Sequence, residues 1–459
     1  MIYFNHAATS CPRPECVARA CYEAVRSGSS AGRGAGEPAL DSARTAFAVR
    51  SQLARRFGLS CEERVCFTAN ATDSLNTALR GLLKPGDHVI TTAMEHNSVL
   101  RPLYLLAEQR VELTILPADA QGRVDWSALA GAVRPNTRAL VCAHGSNVTG
   151  NLNELPVLGG FCAEHGLTFV VDAAQTGGVF PIHMEQMLID VLCLTGHKGL
   201  LGPQGIGAVL VGENADLRPA RVGGTGVQSA LKTQPAEYPT RLEAGTLNGP
   251  GIAGLGAALT WLDGQMEEEL RRREQSFARR FYEGVRELPG VTCYGDFEVP
   301  ERGPIVSLNL GDWDSAAVSD ELWTRFGMVT RAGLHCAPLA HEALGTARQG
   351  AVRFSFSHLN TEEEIDRGID AMRTLAMEWS QMRAREEKWI VTFPTAAAAM
   401  AMERRAKELR IPGRIIPTPT IITADCGLAW MAPVAARDEV EQMLRGNGLA
   451  YSEARVLLI

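Results

Sequence analysis

Little in the 459-residue chain would take it to a nucleic acid, a membrane or an oxidising compartment. A net charge of −7 and a pI near 5.9 leave no basic surplus for a phosphate backbone or an anionic bilayer, and a local patch is the one way left open. No segment reaches the roughly 18 uninterrupted apolar residues of a membrane span. The opening MIYFNHAATS has neither a basic n-region nor a long apolar h-region, so a cytoplasmic protein is expected. The 11 cysteines are an odd count with no CxxC pair and no Cys/His grouping at zinc spacing, which argues against a disulfide framework and a structural metal. Cys66, Cys142 and Cys193 lie inside apolar runs and read as small core residues. At 46% hydrophobic, a chain of this length buries large cores and suits two or three domains.

What is present is concentrated between Leu167 and Gly207. LTFVV and IDVLCL have the length and β-branched content of buried strands, and each ends on a polar cluster, Asp172-Ala-Ala-Gln175 and Thr195-Gly-His197-Lys198. Ligands of open α/β sheets sit outside the carboxyl ends of the strands, so an acid and a lysine 26 positions apart (198 − 172) can meet there. Pyridoxal phosphate needs such a pair: a lysine to hold its aldehyde as a Schiff base and an acid to keep its ring nitrogen protonated. The plainer alternative makes Asp172 a helix cap and Lys198 a surface lysine. Asn70-Ala-Thr72-Asp73 opens a helix whose free N–H groups and dipole suit a phosphate, although Thr72 taken alone reads as an N-cap. His96 follows a strand end within MEHNS, where an imidazole can stack and, with an ordinary pKa near 6.5, move protons; a lone loop histidine is its alternative.

The strings VVDAAQTGG and TGHKGLLGPQGIG, with RLEAGTLN and RAGLHCAP further on, resemble the class V aminotransferases, in particular the cysteine desulfurase and selenocysteine lyase branch. The resemblance runs over the first 380 residues. It implies the α/β fold type I of pyridoxal-phosphate transferases. A large, mostly parallel domain is expected over 16–249, with a smaller α+β domain from 1–15 and 250–380. It also implies roles. Lys198 and Asp172 serve as above, His96 stacks on the cofactor ring where an aromatic is usual, and Asn147 and Gln175 meet the ring hydroxyl. Ala71, Thr72, Thr195 and His197 hold the phosphate. Thr246 reaches the phosphate of the neighbouring subunit's cofactor, which implies a homodimer. Arg353, then Arg331, with Asn147 beside them, suit the substrate carboxylate, because a guanidinium fork binds it bidentately. Cys336 attacks the substrate sulfur, with His335 and Arg331 expected to favour its thiolate. His6 stands where the family often has asparagine, and Arg33 lies in the glycine-rich loop Ser27–Glu37, either a connector or a loop over the site. The EEELRRRE run reads as a solvated helix face.

Past a polar linker at 381–388, residues 389–459 follow a β-α-β-β-α-β order, that of a small ferredoxin-like unit. This tail resembles a selenium and sulfur carrier domain, whose typical Cys-Gly-Leu is here Cys426-Gly427-Leu428. The expected activity is conversion of L-cysteine to L-alanine with a persulfide on Cys336, relayed to Cys426, or else Cys426 is a packed thiol. Selenocysteine is an alternative substrate, and a sulfur acceptor protein a partner. A lyase or transaminase that does not use Cys336, and a carrier scaffold without turnover, are the remaining readings.

Overall fold

The computed structural model describes residues 1–28, 36–381, 387–423 and 427–458. Arg33 and Cys426 therefore lie outside the described residues. In chain order the first half comprises β1 (Ile2–Tyr3), α1 (Glu15–Ser27), α2 (Glu37–Arg56), β2 (Val65–Thr68), α3 (Ala71–Leu82), β3 (His88–Thr92), α4 (Asn97–Glu108), β4 (Glu112–Leu116), α5 (Leu129–Ala132), β5 (Thr137–Ala143), α6 (Leu155–Glu164), β6 (Thr168–Asp172), β7 (Val191–Thr195) and β8 (Gly207–Val211). Seven of these strands form one sheet in the order β2-β8-β7-β6-β5-β3-β4. The run from β7 to β4 is parallel, and β8 pairs antiparallel with both β7 and β2. Every residue of β6, β7 and β8 is buried, as continuous apolar runs covered on both faces should be. Of the five parallel strands, β3, β5, β6 and β7 bring to one edge, at or just past their C-terminal ends, His96, Asn147, Asp172 and Lys198.

The chain continues through α7 (Gly249–Asp263), α8 (Glu267–Val285), β9 (Val291–Tyr294), β10 (Ile305–Leu310), α9 (Ser315–Phe326), β11 (Met328–Val329), α10 (Pro338–Ala343), β12 (Val352–Ser355) and α11 (Glu362–Gln381). The expected boundary at residue 250 shifts, because α7 packs Ile252, Leu255, Leu259 and Leu262 into the core that holds Leu53 and Phe169 of the large sheet. The break at Gly264 separates this buried helix from amphipathic α8, whose Phe277 and Phe281 join Phe4, Phe354 and Met372 in a second core under the sheet β12-β10-β9. The charged run of α8 is mostly solvated, but Glu274 is buried and accepts from His358 Nδ1 at 2.7 Å. Strand β1 pairs with β11, and the next residues bridge to Ser355, so the N-terminal segment is threaded into this smaller layer and delivers His6 and Ala7 to the site.

The tail forms β13 (Glu387–Thr392), α12 (Ala396–Leu409), β14 (Arg414–Pro417), β15 (Leu428–Pro433), α13 (Arg437–Gly446) and β16 (Glu453–Leu458) in the antiparallel order β14-β15-β13-β16. That is the ferredoxin-like order. The strand begins at Glu387, two residues inside the expected linker, because Glu387 and Lys388 already pair with β16. The unit rests on α9: Arg414 forms an ion pair with Asp320, and Thr420 Oγ1 donates to Asp314 Oδ2 at 2.7 Å.

The RLEAGTLN segment is tied to the sheet by one buried ion pair. Arg50 binds both carboxylate oxygens of Glu243 at 2.7 Å, each side chain 8% exposed, and Glu243 also accepts from the Phe67 amide. Removing one partner strands a buried charge. Glu243→Ala is expected to cost about 3–5 kcal/mol, read as a lowered thermal or urea midpoint; an unchanged midpoint would contradict this packing.

Candidate active site

The turn after β2 is built around Asn70, not Thr72. Asn70 Oδ1 accepts from the Asp73 amide at 3.0 Å and caps α3, which leaves Thr72 Oγ1 to meet Ser98 Oγ at 2.7 Å. The first-turn amides of Ala71 and Thr72 have no acceptor inside the helix, and the dipole adds positive potential there. Strand β8 backs this turn so closely that a Cβ on Gly207 would lie 2.9 Å from the Asn70 backbone. Across from it, Thr195 is buried at the end of β7, and its hydroxyl has no hydrogen-bond partner among the described residues. His197 Nδ1 lies 3.1 Å from Thr9 Oγ1, and burial pushes its pKa down to about 4, so it is neutral.

These groups border a cavity of about 260 Å³. Nine of the predicted residues line it together: Ala71, Thr72, His96, Asn147, Asp172, Gln175, Thr195, His197 and Lys198. Lys198 is half-buried, and the loss of hydration lowers its pKa to about 8; Asp172 pulls it up, while Arg353 and Arg331 push it further down. Burial raises the Asp172 carboxyl, and the Ala174 amide at 2.9 Å and the Lys198 charge draw it back. His96 departs from expectation. Burial first, and then the positive charges of Lys198, Arg331, Arg353 and Arg101, lower its pKa to about 3, so it is not half-protonated near neutral pH. Its Nδ1 accepts from the Ser98 amide at 3.0 Å as the cap of α4, which leaves the proton on Nε2.

The cysteine segment reaches the cavity through its backbone. Asn147 Nδ2 donates to the His335 carbonyl at 2.8 Å, and the Asn97 amide donates to the Cys336 carbonyl at 2.7 Å. His335 and Cys336 both have left-handed backbones, φ 53° and 57°, a conformation costing on the order of 1–3 kcal/mol each that persists only where its surroundings impose it. Cys336 is half-buried, with Arg331 Nη2 3.7 Å from its sulfur. Arg331 alone of the two expected neighbours brings positive charge to that sulfur. His335 is fully buried with its pKa well below the usual value, chiefly through desolvation, and so is neutral. Arg353 is buried on β12 with Nη1 donating to the Asn147 carbonyl at 2.8 Å, and its backbone bridges to that of Arg331; neither arginine lines the cavity, although the charges of both act on Lys198 and His96.

Thr246 does not line this cavity and is exposed. Sequence reasoning overlooked Ser98, the capping partner that joins His96 to Thr72; its signal is the serine two residues past the strand-end histidine. A second chamber of about 40 Å³ was also missed. It shares Gln175 and Lys198 with the first and is faced by His6, Thr176 and the Glu274–His358 pair. Burial lowers the pKa of His6 to about 4.

The donor set fits an aromatic aldehyde carrying a phosphate: hydroxyls and a helix N-terminus at one end, Lys198 and Asp172 in the middle. Comparison with known proteins agrees. The Aminotransferase class-V family model matches residues 2–367, and the Se/S carrier protein-like model matches residues 388–454. A cysteine desulfurase of Pectobacterium carotovorum is 33% identical over 339 residues, 72% of this chain and 81% of its own. One from Klebsiella pneumoniae is 31% identical over 388 residues, 82% of this chain and 93% of its own. The apo structure of cysteine desulfurase from Thermococcus onnurineus NA1 superposes with a TM-score of 0.77 at 30% identity, covering 82% of this chain and 94% of the other. With its parallel sheet, its lysine-bearing cavity and a family match over most of its length, the chain belongs to the class V aminotransferases.

Proposed function

We propose that this chain is a pyridoxal-phosphate-dependent cysteine desulfurase that leaves a persulfide on Cys336. The observation that supports it is the bond from Asn147, which lines the lysine cavity, to the carbonyl of His335, the residue before Cys336, whose sulfur has Arg331 beside it. Lys198 would hold the cofactor aldehyde, Asp172 its ring nitrogen, and Ala71, Thr72, Thr195 and His197 its phosphate; Asn147 and Gln175 would meet the ring hydroxyl. When bound, pyridoxal phosphate supplies an electron sink that acidifies the substrate's α-carbon.

The protein's own groups do the rest. Arg353 and Arg331 bind the substrate carboxylate. Lys198 Nζ takes the α-proton, which its depressed pKa permits near neutral pH. Neutral His96, its proton on Nε2, would stack over the ring. The Cys336 thiolate then attacks the substrate sulfur and the carbon–sulfur bond breaks with its electron pair on carbon. That carbon and the α-carbon each take up a proton, so cysteine and one thiol become alanine and one persulfide.

We read Thr246 as serving the neighbouring subunit's cofactor, which its exposure and its absence from its own chain's cavity support. Analytical ultracentrifugation is expected to give close to twice 49.5 kDa, and a stable monomer would reject the shared site. Cys426 is read as the next sulfur acceptor, supported by the tail's family match and by the anchoring of Thr420 at Asp314, the N-cap of the helix that leads toward the cysteine segment. A separate acceptor protein would complete the transfer.

The testing experiment is peptide mass spectrometry after brief incubation with L-cysteine and a thiol-blocking reagent. Persulfide on Cys336 is expected, and on Cys426 too if the tail relays, with the second lost in Cys336→Ala. Persulfide on neither would sink the desulfurase reading. The carrier-like tail also favours a second reading, selenocysteine as substrate through the same residues, which direct competition between the two amino acids resolves.

A further inference from the structure

We propose that His341 and Thr346 are positioning residues for Cys336, the far end of a hydrogen-bonded chain that fixes the nucleophile's backbone. The inference rests on the desulfurase reading for its kinetic consequence and on geometry alone for its structural one.

The chain has four members. His335 Nε2 lies 3.0 Å from the Arg331 carbonyl, which can only accept, so this nitrogen carries the proton. His335 Nδ1 must then accept, and it lies 3.2 Å from His341 Nε2. His341 Nδ1 in turn lies 2.7 Å from Thr346 Oγ1, whose hydroxyl donates. Both histidines are fully buried, and both are neutral because burial lowers their pKa values, His341 to about 4. With no second proton available, each ring has one tautomer and the donors run in a single direction from Thr346 to Arg331.

What this chain holds is unusual backbone. The imidazole of His335 is locked inward while its carbonyl takes the Asn147 side-chain amide and its φ stays left-handed; the next residue, Cys336, is also left-handed and its carbonyl takes the Asn97 backbone amide. The Thr346 amide donates to the His341 carbonyl at 2.8 Å and Gly350 donates to the Thr346 carbonyl at 2.7 Å, so the threonine is itself fixed to the strand pair carrying Arg353. Without its hydroxyl the His341 Nδ1 acceptor is buried unmatched, the two rings lose their fixed orientation, and the left-handed pair is released.

The test compares Thr346→Val, Thr346→Ser and His341→Gln in the cofactor-loaded protein. Single-turnover persulfide formation should fall about tenfold in Thr346→Val, a loss of one buried hydrogen bond's order. KM for L-cysteine and exchange of its α-hydrogen with solvent deuterium should be unchanged, and serine should restore the rate. Amide exchange over residues 331–337 should quicken in Thr346→Val and His341→Gln, with the lysine-bearing segment unaffected. Equal persulfide rates and equal amide exchange in wild type and Thr346→Val would overturn the proposal. So would parallel losses of persulfide formation and α-hydrogen exchange that serine does not rescue, since those mark general structural damage. If the wild type forms no persulfide, the desulfurase reading fails, and amide exchange over 331–337 alone decides: quickened exchange keeps the positioning role, unchanged exchange removes it.

Discussion

Cys336→Ala should lose on the order of 10³-fold or more of its persulfide and sulfide formation from L-cysteine, because the nucleophile is removed and the buried thiols of the large sheet cannot replace it. Cys142 and Cys193 are fully buried in the sheet, and desolvation holds both thiols well above their usual pKa. Cys66 is in the same position, pushed up by burial and then by Glu243. The charges acting on Cys142 and Cys193 all raise their pKa, and the arginines that lower that of Cys66 do not offset its burial, whereas Arg331 stands beside the Cys336 sulfur. The variant should bind cofactor normally, since Cys336 meets the Asn97 amide through its carbonyl and Arg331 through its sulfur, and neither is a group expected to hold the cofactor. Its melting point should also hold, as alanine tolerates a left-handed φ no worse than cysteine does. Sulfide release is read by a colorimetric assay and cofactor by visible absorbance. Full activity in the variant would reject Cys336 as nucleophile, and lost absorbance would show that it supports the cofactor cavity instead.

Much of this was legible because it depended on contiguous residues. The buried strands ending at Asp172 and Thr195 are uninterrupted apolar runs, and a strand's C-terminal loop in a parallel sheet has only one edge to face. The helix-opening turn at Asn70 to Asp73 and the tail's strand order were readable for the same reason, whereas the cap that His96 gives α4 was not. What could not be read depends on distant partners. The pairing of α7 with α1 and α2 follows from small residues on its buried face, Gly254 and Gly256, against Cys21 and Val49. The protonation of His96 and His335 is set by burial and by arginines more than 200 residues away from the first of them, so a sequence-local view left both closer to their ordinary pKa than the fold allows. The pairing of His335 with His341 and Thr346 needed three dimensions, although all three fall within twelve positions.

Lys198→Ala should abolish turnover and visible cofactor absorbance together, and the pH dependence of aldehyde capture by the cofactor-free wild type should report the environment responsible. Only a neutral amine attacks an aldehyde. With its pKa near 8, about half of the chains carry neutral Lys198 at pH 8, against fewer than about one in a hundred for an unshifted lysine. Capture should therefore rise about tenfold per pH unit on the acid side and level off above about pH 8. The neighbours set the sign of each variant's shift. Asp172 raises the lysine's pKa, so Asp172→Asn should move the midpoint to lower pH; Arg331 lowers it, so Arg331→Ala should move the midpoint up. Opposite displacements by the two variants would tie Lys198 electrostatically to both the sheet's acid and the cysteine segment's arginine, the two halves of the site meeting at one amine. A midpoint above pH 10, or one that neither variant displaces, would mean that the lysine is solvated and that the cavity is not assembled around it.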